Sequence, residues 1–363
     1  MRIKLGDFKI NKRQRKIFKD IIASTRITEG KYVKLFEEEV SKFLGVKHTI
    51  AVTNGTVALQ LVAQYIKYKY GGGLKICIPA TTFPATLNAF LNIGFDTVLC
   101  DIDDSLCIDL DTLTEEEKHL IDVIVPVHLM GYTADMDKIN KEAIKYGWIV
   151  VEDFAEAFGS KYGDRRVGSI GDFGCSSFYM SHVLQGGELG IVTTNDDEAA
   201  KVMRSMKNHG RDGNPMEFHH KYIGSNYKTT EFCAGLGYEQ MTRADEIIKQ
   251  RRNNATRIQT KVNNPYLECF AINENVSFLG YPIIAITGEY KKYICDKLNE
   301  RGIETRGMFP CLANQEAYKD LNYKEKEYLC SEYMERTCFY VGIHQNLTID
   351  EIDEIIKGLN DDF

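Results

Sequence analysis

Between His48 and Phe154 short apolar runs alternate with amphipathic ones, and that rhythm leaves few folds open. Residues 48–66 (HTIAVTNGTVALQLVAQYI) read as a strand, a turn at Asn54-Gly55-Thr56 and a helix. LKICIPA (74–80) and DTVLCDID (96–103) are predicted strands on either side of the helix TFPATLNAFLNIG. VIVPVHL (123–129), the helix MDKINKEAIKYG (136–147) and WIVVEDF (148–154) continue the series. Strands covered on both faces by crossover helices are apolar along their whole length, whereas strands with one wet face alternate. The expected fold class is therefore α/β, with a mostly parallel sheet between two helical layers. Polar residues gather just after the strands, at Asn54, Thr82, His128 and Asp153. In open sheets of this kind ligands bind outside the carboxyl ends of the strands.

The flanks follow a different pattern. Residues 1–30 read as an arm with one short helix, RKIFKDIIAS, followed by a helix over 32–45 whose Val33, Phe36, Val40, Phe43 and Leu44 recur at helical spacing. One long helical stretch over 230–262 is predicted to lead into a smaller α+β unit, with a strand at 277–286 and helices at 291–302 and 348–361. The expected division is a large domain with its N-terminal arm over 1–250 and a small C-terminal domain over 251–363, which suits 363 residues at ~100–200 per domain. Gly71-Gly72-Gly73 reads as a flexible connection, because no strand-then-helix context makes it a phosphate loop.

A formal net charge of −7 offers no electrostatic footprint for nucleic acid. No run of ~18 apolar residues is present to span a membrane. The segment MRIKLGDFKINKRQ lacks the apolar core of a secretory signal, so a cytoplasmic location is expected. The ten cysteines form no CxxC or CxC pair. That argues against a zinc ribbon or a redox pair, and cysteines such as Cys77 and Cys100, in apolar strand-like runs, read as buried free thiols; no metal is expected.

Six segments then carry a resemblance. They are TNGTVAL (53–59), TTFPATLNA (81–89), PVHLMG (126–131), VEDFAEAFGS (151–160), SSFYMSH (176–182) and GSNYKTTEFCAGLG (224–237). In this order the chain resembles the DegT/DnrJ/EryC1/StrS family of sugar aminotransferases over nearly its whole length. The resemblance implies a fold-type I, aspartate aminotransferase-like transferase that uses pyridoxal 5'-phosphate (PLP) or pyridoxamine 5'-phosphate (PMP). Asp153 would hold a proton on the cofactor's pyridine nitrogen, making the ring a better electron sink. Glu156 would meet the ring hydroxyl and Phe83 would stack on the ring. Gly55 and Thr56, opening a helix, would bind the phosphate with Ser177 and with Asn226 from a neighbouring subunit, which implies a homodimer with two shared sites. His128 matches a histidine near the family's site, or is a satisfied structural residue.

Family members usually read Ser-Phe-x-x-x-Lys and then Gly-Glu-Gly-Gly. Ser177, Phe178, Gly187, Glu188 and Gly190 keep their places here, but the lysine has become His182 and one glycine has become Leu189. No lysine lies between Lys161 and Lys201, so a shift of register cannot restore one. An imidazole moves protons near neutral pH but cannot bond covalently to PLP, which implies PMP held by non-covalent contacts. The chain is similar in this respect to the family's histidine-bearing branch, which includes GDP-4-keto-6-deoxy-D-mannose 3-dehydratases of deoxysugar and lipopolysaccharide O-antigen biosynthesis. The implied activity is removal of the 3-hydroxyl from a nucleotide-linked 4-keto-6-deoxy sugar, with His182 as the base and glutamate as amino donor. A nucleotide-sugar aminotransferase and a non-catalytic binding or regulatory protein remain the alternatives. A second histidine branch holds an iron–sulfur cluster by a Cys-x-Cys after Gly-Arg-Asp. Gly210-Arg211-Asp212 is followed here by Gly213-Asn214-Pro215, without the thiolates such a cluster needs. His219, His220, Lys221 and Tyr222 stand open as a diphosphate contact or a solvated basic loop.

Overall fold

The computed structural model describes residues 2–213, 217–321, 323 and 326–361. Asn214 and Pro215 of the Gly-Asn-Pro segment lie outside the described residues. The central sheet contains β1 (His48–Val52), β2 (Lys75–Pro79), β3 (Asp96–Cys100), β4 (Val123–Ile124) and β5 (Ile149–Asp153). After a separate hairpin of β6 (Lys161–Tyr162) and β7 (Arg165–Arg166), it is completed by β8 (Phe173–Ser177) and β9 (Gly190–Thr194). The strand order is β1-β9-β8-β5-β4-β2-β3. β9 is antiparallel to both neighbours and the other pairs are parallel, so β9 alone in this sheet runs against the rest.

Burial explains why the strands are apolar throughout. In β2, Ile76 and Ile78 enter the core beneath the helices Gly55–Tyr70, Pro84–Leu91 and Asp197–Met206, while Cys77 faces the opposite core beneath the helix Met136–Tyr146. Successive side chains leave a strand on opposite faces, and here both faces are dry. The strand expected over 123–129 is shorter than its apolar run. Pro126 has no N–H to give a ladder, and beyond Ile124 only an isolated bridge, Val127 to Asp153, continues it.

The stretch predicted as one helix over 230–262 is two, Glu231–Met241 and Ala244–Lys261. The Thr242 hydroxyl donates back to the Glu239 carbonyl (2.7 Å), and Arg243 leaves the helical region while its Nε donates to the Glu239 carboxylate (2.9 Å). The second helix crosses between two cores. Ile247 and Ile248 belong to the large one, and Ala255 and Ile258 to that of a four-stranded antiparallel sheet. That sheet is formed by β10 (Leu267–Cys269), β11 (Tyr281–Ala285), β12 (Thr305–Gly307) and β13 (Cys338–Val341), in the order β10-β11-β13-β12. The N-terminal arm reaches it as well. Ile3 is buried in this second core and bridges Ile303, with hydrogen bonds Ile3 N to Gly302 O and Glu304 N to Ile3 O, both 2.8 Å. Among the described residues no helix is long and apolar enough to cross a membrane, and no group of three side chains is placed to hold a metal ion.

Leu189 is fully buried, and its fit depends on glycine. A Cβ at Gly237 would stand 2.6 Å from its Cδ2 and 2.9 Å from the Phe36 ring, and one at Gly186 would stand 2.6 Å from the same methyl. Gly237→Ala is expected to destabilise the fold by ~1–3 kcal/mol through overpacking. In thermal melts the pair Gly237→Ala with Leu189→Ala should cost less than the sum of the two single changes, because the smaller side chain at 189 leaves room for the new methyl. Strictly additive effects would show that the two residues do not compete for this space.

Candidate active site

A cavity of about 450 Å³ opens at the carboxyl ends of the parallel strands, within the ~300–1,000 Å³ typical of small-molecule sites. Gly55, Thr56, Phe83, Asp153, Glu156, Ser177 and His182 all line it. β1 delivers Gly55 and Thr56 at the start of the helix Gly55–Tyr70, whose N-cap Asn54 accepts from the Val57 N–H (2.9 Å). Ser177 ends β8 beside them. A Cβ at position 55 would lie 2.9 Å from Ser177 Cβ, so glycine lets helix and strand close together. Free N–H groups at a helix start, next to a hydroxyl, suit a phosphate.

Asp153 ends β5 and is buried. Its Oδ2 accepts from the Thr86 hydroxyl (2.8 Å) and its Oδ1 from the Ala155 N–H (3.1 Å). Burial raises its pKa, and these two donors only partly offset that. A carboxylate so placed in the cavity wall is one that a protonated ring nitrogen could pair with. Phe83 is 57% exposed, with its ring centroid 5.7 Å from that of Phe309.

Three residues on, the Glu156 Oε2 accepts from the Met130 N–H (3.1 Å). Burial, helped by the charge of Asp153, pushes its pKa from 4.5 up to about 7. Because the folded state binds this proton more tightly than the unfolded chain, stability falls as pH rises from about 4.5 through about 7, by about 3 kcal/mol for a shift of this size. Glu156→Gln should remove that slope. The melting temperatures of the cofactor-free protein at pH 5 and pH 8 should then draw together, and an unaltered difference between them would contradict the assignment.

His182 sits in the loop between β8 and β9. Its Nδ1 lies 2.6 Å from the Ala155 carbonyl oxygen, which can only accept, so Nδ1 carries the proton and Nε2 keeps its lone pair. Burial holds the imidazole's pKa down to about 4; the Ala155 carbonyl works against this and Arg251 with it. The ring is thus a neutral base in a wall of the cavity.

Two residues singled out from the sequence lie elsewhere. His128 is fully buried. Its Nδ1 accepts from the Ala134 N–H (3.1 Å) and its Nε2 donates to Glu152 (3.1 Å), a carboxylate also bonded by the N–H groups of Gly168, Ile170 and Gly171. That is the structural reading of this histidine. Asn226 is exposed on a strip that bridges Asn208, beside the bond from Thr53 N to Tyr227 O (3.0 Å), and it does not line the cavity of its own chain. His219, His220 and Lys221 are exposed, and Tyr222 is buried against the large core. Sequence reading missed Thr86, Arg306 and Tyr340. Thr86 was within reach, standing three residues after Phe83 on the first turn of a helix that follows a strand. Arg306 and Tyr340 come from β12 and β13, with nothing local to signal them.

A helix N-terminus beside a hydroxyl, a buried acid and an aromatic ring thus meet in one cavity, a set of groups that could hold a vitamin B6 phosphate, PLP or PMP. The chain belongs to the DegT/DnrJ/EryC1/StrS aminotransferase family, whose family model matches residues 9–360. It is similar to the GDP-perosamine synthase of Caulobacter vibrioides, being 30% identical over 350 residues that cover 91% of this chain and 90% of the relative. It is also similar to the GDP-4-keto-6-deoxy-D-mannose 3-dehydratase of Escherichia coli O55:H7, being 28% identical over 374 residues that cover 94% and 96% of the two chains. A solved structure of the E. coli 3-dehydratase with bound hydrated PLP superposes with a TM-score of 0.90 at 25% identity, over 98% of this chain and 99% of that one. The protein is therefore an enzyme of a PLP-dependent, nucleotide-sugar-modifying family.

Proposed function

We propose that this enzyme removes the 3-hydroxyl of a nucleotide-linked 4-keto-6-deoxy sugar, with His182 as the proton-transfer base. The observation that carries this reading is the side chain at position 182: an imidazole with Nδ1–H tied to Ala155 O and a bare Nε2. No lysine is found among the described residues lining the cavity. When bound, PMP supplies an amine for the ketone at carbon 4 and a ring that accepts electrons.

Asp153 keeps that ring's nitrogen protonated, and Phe83 covers a face of it. Gly55, Thr56 and Ser177 hold the phosphate, joined by Asn226 of a second copy in a homodimer. Asn226's exposure outside its own cavity supports that arrangement. Glu156, protonated below about pH 7, donates to the ring oxygen. Nε2 of His182 would take a proton from the cofactor's exocyclic carbon and pass it to the 3-hydroxyl, which leaves as water. The balance closes with glutamate as reductant: the sugar loses one oxygen, glutamate becomes 2-oxoglutarate, and ammonia is released. The reaction uses soluble nucleotide sugars, which suits a cytoplasmic enzyme.

The likeness to GDP-perosamine synthase favours a second reading, amino transfer to carbon 4. Purified enzyme given PMP, glutamate and GDP-4-keto-6-deoxymannose, or its other nucleotide counterparts, separates the two by product mass. Loss of one oxygen together with free ammonia is expected. A product that has gained an amine would replace the first reading with the second, and no product from any nucleotide sugar would leave a ligand-binding protein.

A further inference from the structure

His182 is carried by a loop, and a loop is a loose mount for a base. Its side chain has one anchor, the bond from Nδ1 to the Ala155 carbonyl (2.6 Å). Tyr179 and Met180, just before it, are 49% and 40% exposed. A reacting group displaced by ~1 Å can lose ~10²-fold in rate, so what steadies this loop bears on the chemistry.

Gln185 follows three residues after His182 and is buried. Its Nε2 donates to the Met180 carbonyl, which closes residues 180–185, His182 among them, into a ring. The same amide nitrogen donates to the Asp7 carbonyl (3.4 Å), far away in sequence. Asp7 belongs to a strap of residues 3–7 that touches both the loop and the small sheet. On the sheet side, Leu5 N–H donates to the Glu304 carboxylate (3.4 Å) and Asn346 Nδ2 to the same Asp7 carbonyl (3.1 Å), while Ile3 bridges Ile303. The strap passes so near Gly342 that a Cβ there would stand 2.8 Å from Leu5 Cα. On the loop side, a Cβ at Gly6 would stand 3.4 Å from the Cα of Ser181, the residue before His182.

Filling space does not call for an amide at this position. The Gln185 Oε1 is buried and has no hydrogen-bond partner among the described residues, a cost that an apolar side chain of equal length avoids. What the amide adds is a pair of N–H groups aimed at one carbonyl of the loop and one of the strap. We infer that Gln185 is a positioning residue, which staples the His182 loop to the N-terminal strap and so holds the imidazole aligned in the cavity wall. Its consequence for rate rests on the proposed role of His182 as the base.

Gln185→Met keeps the length and packing and removes only the N–H donors. In a single turnover of the PMP-loaded enzyme it should act ~10- to 100-fold more slowly, with the nucleotide-sugar KM and the affinity for PMP unchanged. A second readout needs no turnover. The histidine carbon signal lost in His182→Asn identifies this ring in NMR spectra of the cofactor-free protein. In the wild type it should titrate at about 4, held there by burial and by Arg251. In Gln185→Met the freed ring takes up water and should titrate nearer ~6.5. Asp153, Glu156, Glu188 and Arg306, which share the cavity wall, are the same in both proteins. Asn346→Ala loosens the strap from the other side, and its rate loss should be less than additive with that of Gln185→Met. Equal His182 titration in wild type and Gln185→Met, an unchanged rate, or strictly additive losses would each overturn the inference. If no nucleotide sugar is converted but the His182 titration still moves with Gln185→Met, the proposed reaction fails and the positioning role stands.

Discussion

His182→Asn should bind PMP as the wild type does and turn over ~10²–10⁴-fold more slowly, the usual worth of one positioned general base. The asparagine amide can take the place of Nδ1–H against the Ala155 carbonyl, so the loop between β8 and β9 keeps its anchor. What disappears is the lone pair of Nε2, and an amide offers no base near neutral pH. Spectrophotometric titration with PMP measures the first half of the expectation, and single-turnover product formation the second. The pH profile follows from the same burial. With its pKa held at about 4, His182 stays unprotonated through the mildly acidic range, so kcat/KM should hold steady as pH falls and drop only near that value. Wild-type rates in His182→Asn would remove this residue from the mechanism.

Asp153→Asn should have the next largest effect, and in opposite directions on chemistry and on folding. A carboxylate ~4 Å from a ring cation is worth ~4 kcal/mol at an effective dielectric of ~20, so turnover should fall on the order of 10³-fold. The cofactor-free fold should not suffer. Burial raises the pKa of Asp153, so its ionised form weighs against the folded state once pH has risen through the folded value, and asparagine carries no such charge. The local hydrogen bonds can also adapt. Thr86 lies 3.0 Å from the Thr82 hydroxyl, so its own hydroxyl can turn to donate there while accepting from the new amide. Melting temperature at pH 8 and turnover, measured on one preparation, test both halves. A large drop in melting temperature would mean that the negative charge also serves the fold.

How much of this was legible from sequence depended on whether the cause was local. The apolar runs around Ile50, Ile76, Val123 and Val151 reveal a sheet buried on both faces, and Asp153 and Ser177 stand at strand ends where such a sheet binds ligands. The shortness of β4 was legible too, had Pro126 been weighed against the hydrophobicity around it. The break at Thr242–Arg243 depends on side chains turning back to Glu239, in a stretch without proline or an obvious breaker. Non-local pairings left no sequence trace. Ile3 joins Ile303, and Arg306 meets the cavity only because β12, at 305–307, pairs with β13, at 338–341. Leu189 looked like a lapse from the family pattern, and the glycines that accommodate it, Gly186 and Gly237, are apparent only once the chain is folded.

Borohydride reduction of the PLP-loaded protein, followed by intact mass, tests the identity of the group at position 182 most directly. Wild-type protein should return at the mass of the bare chain, and His182→Lys should gain one covalently attached cofactor. A wild-type chain carrying the cofactor's mass would show that an amine elsewhere does the lysine's work, and would contradict the role given to His182.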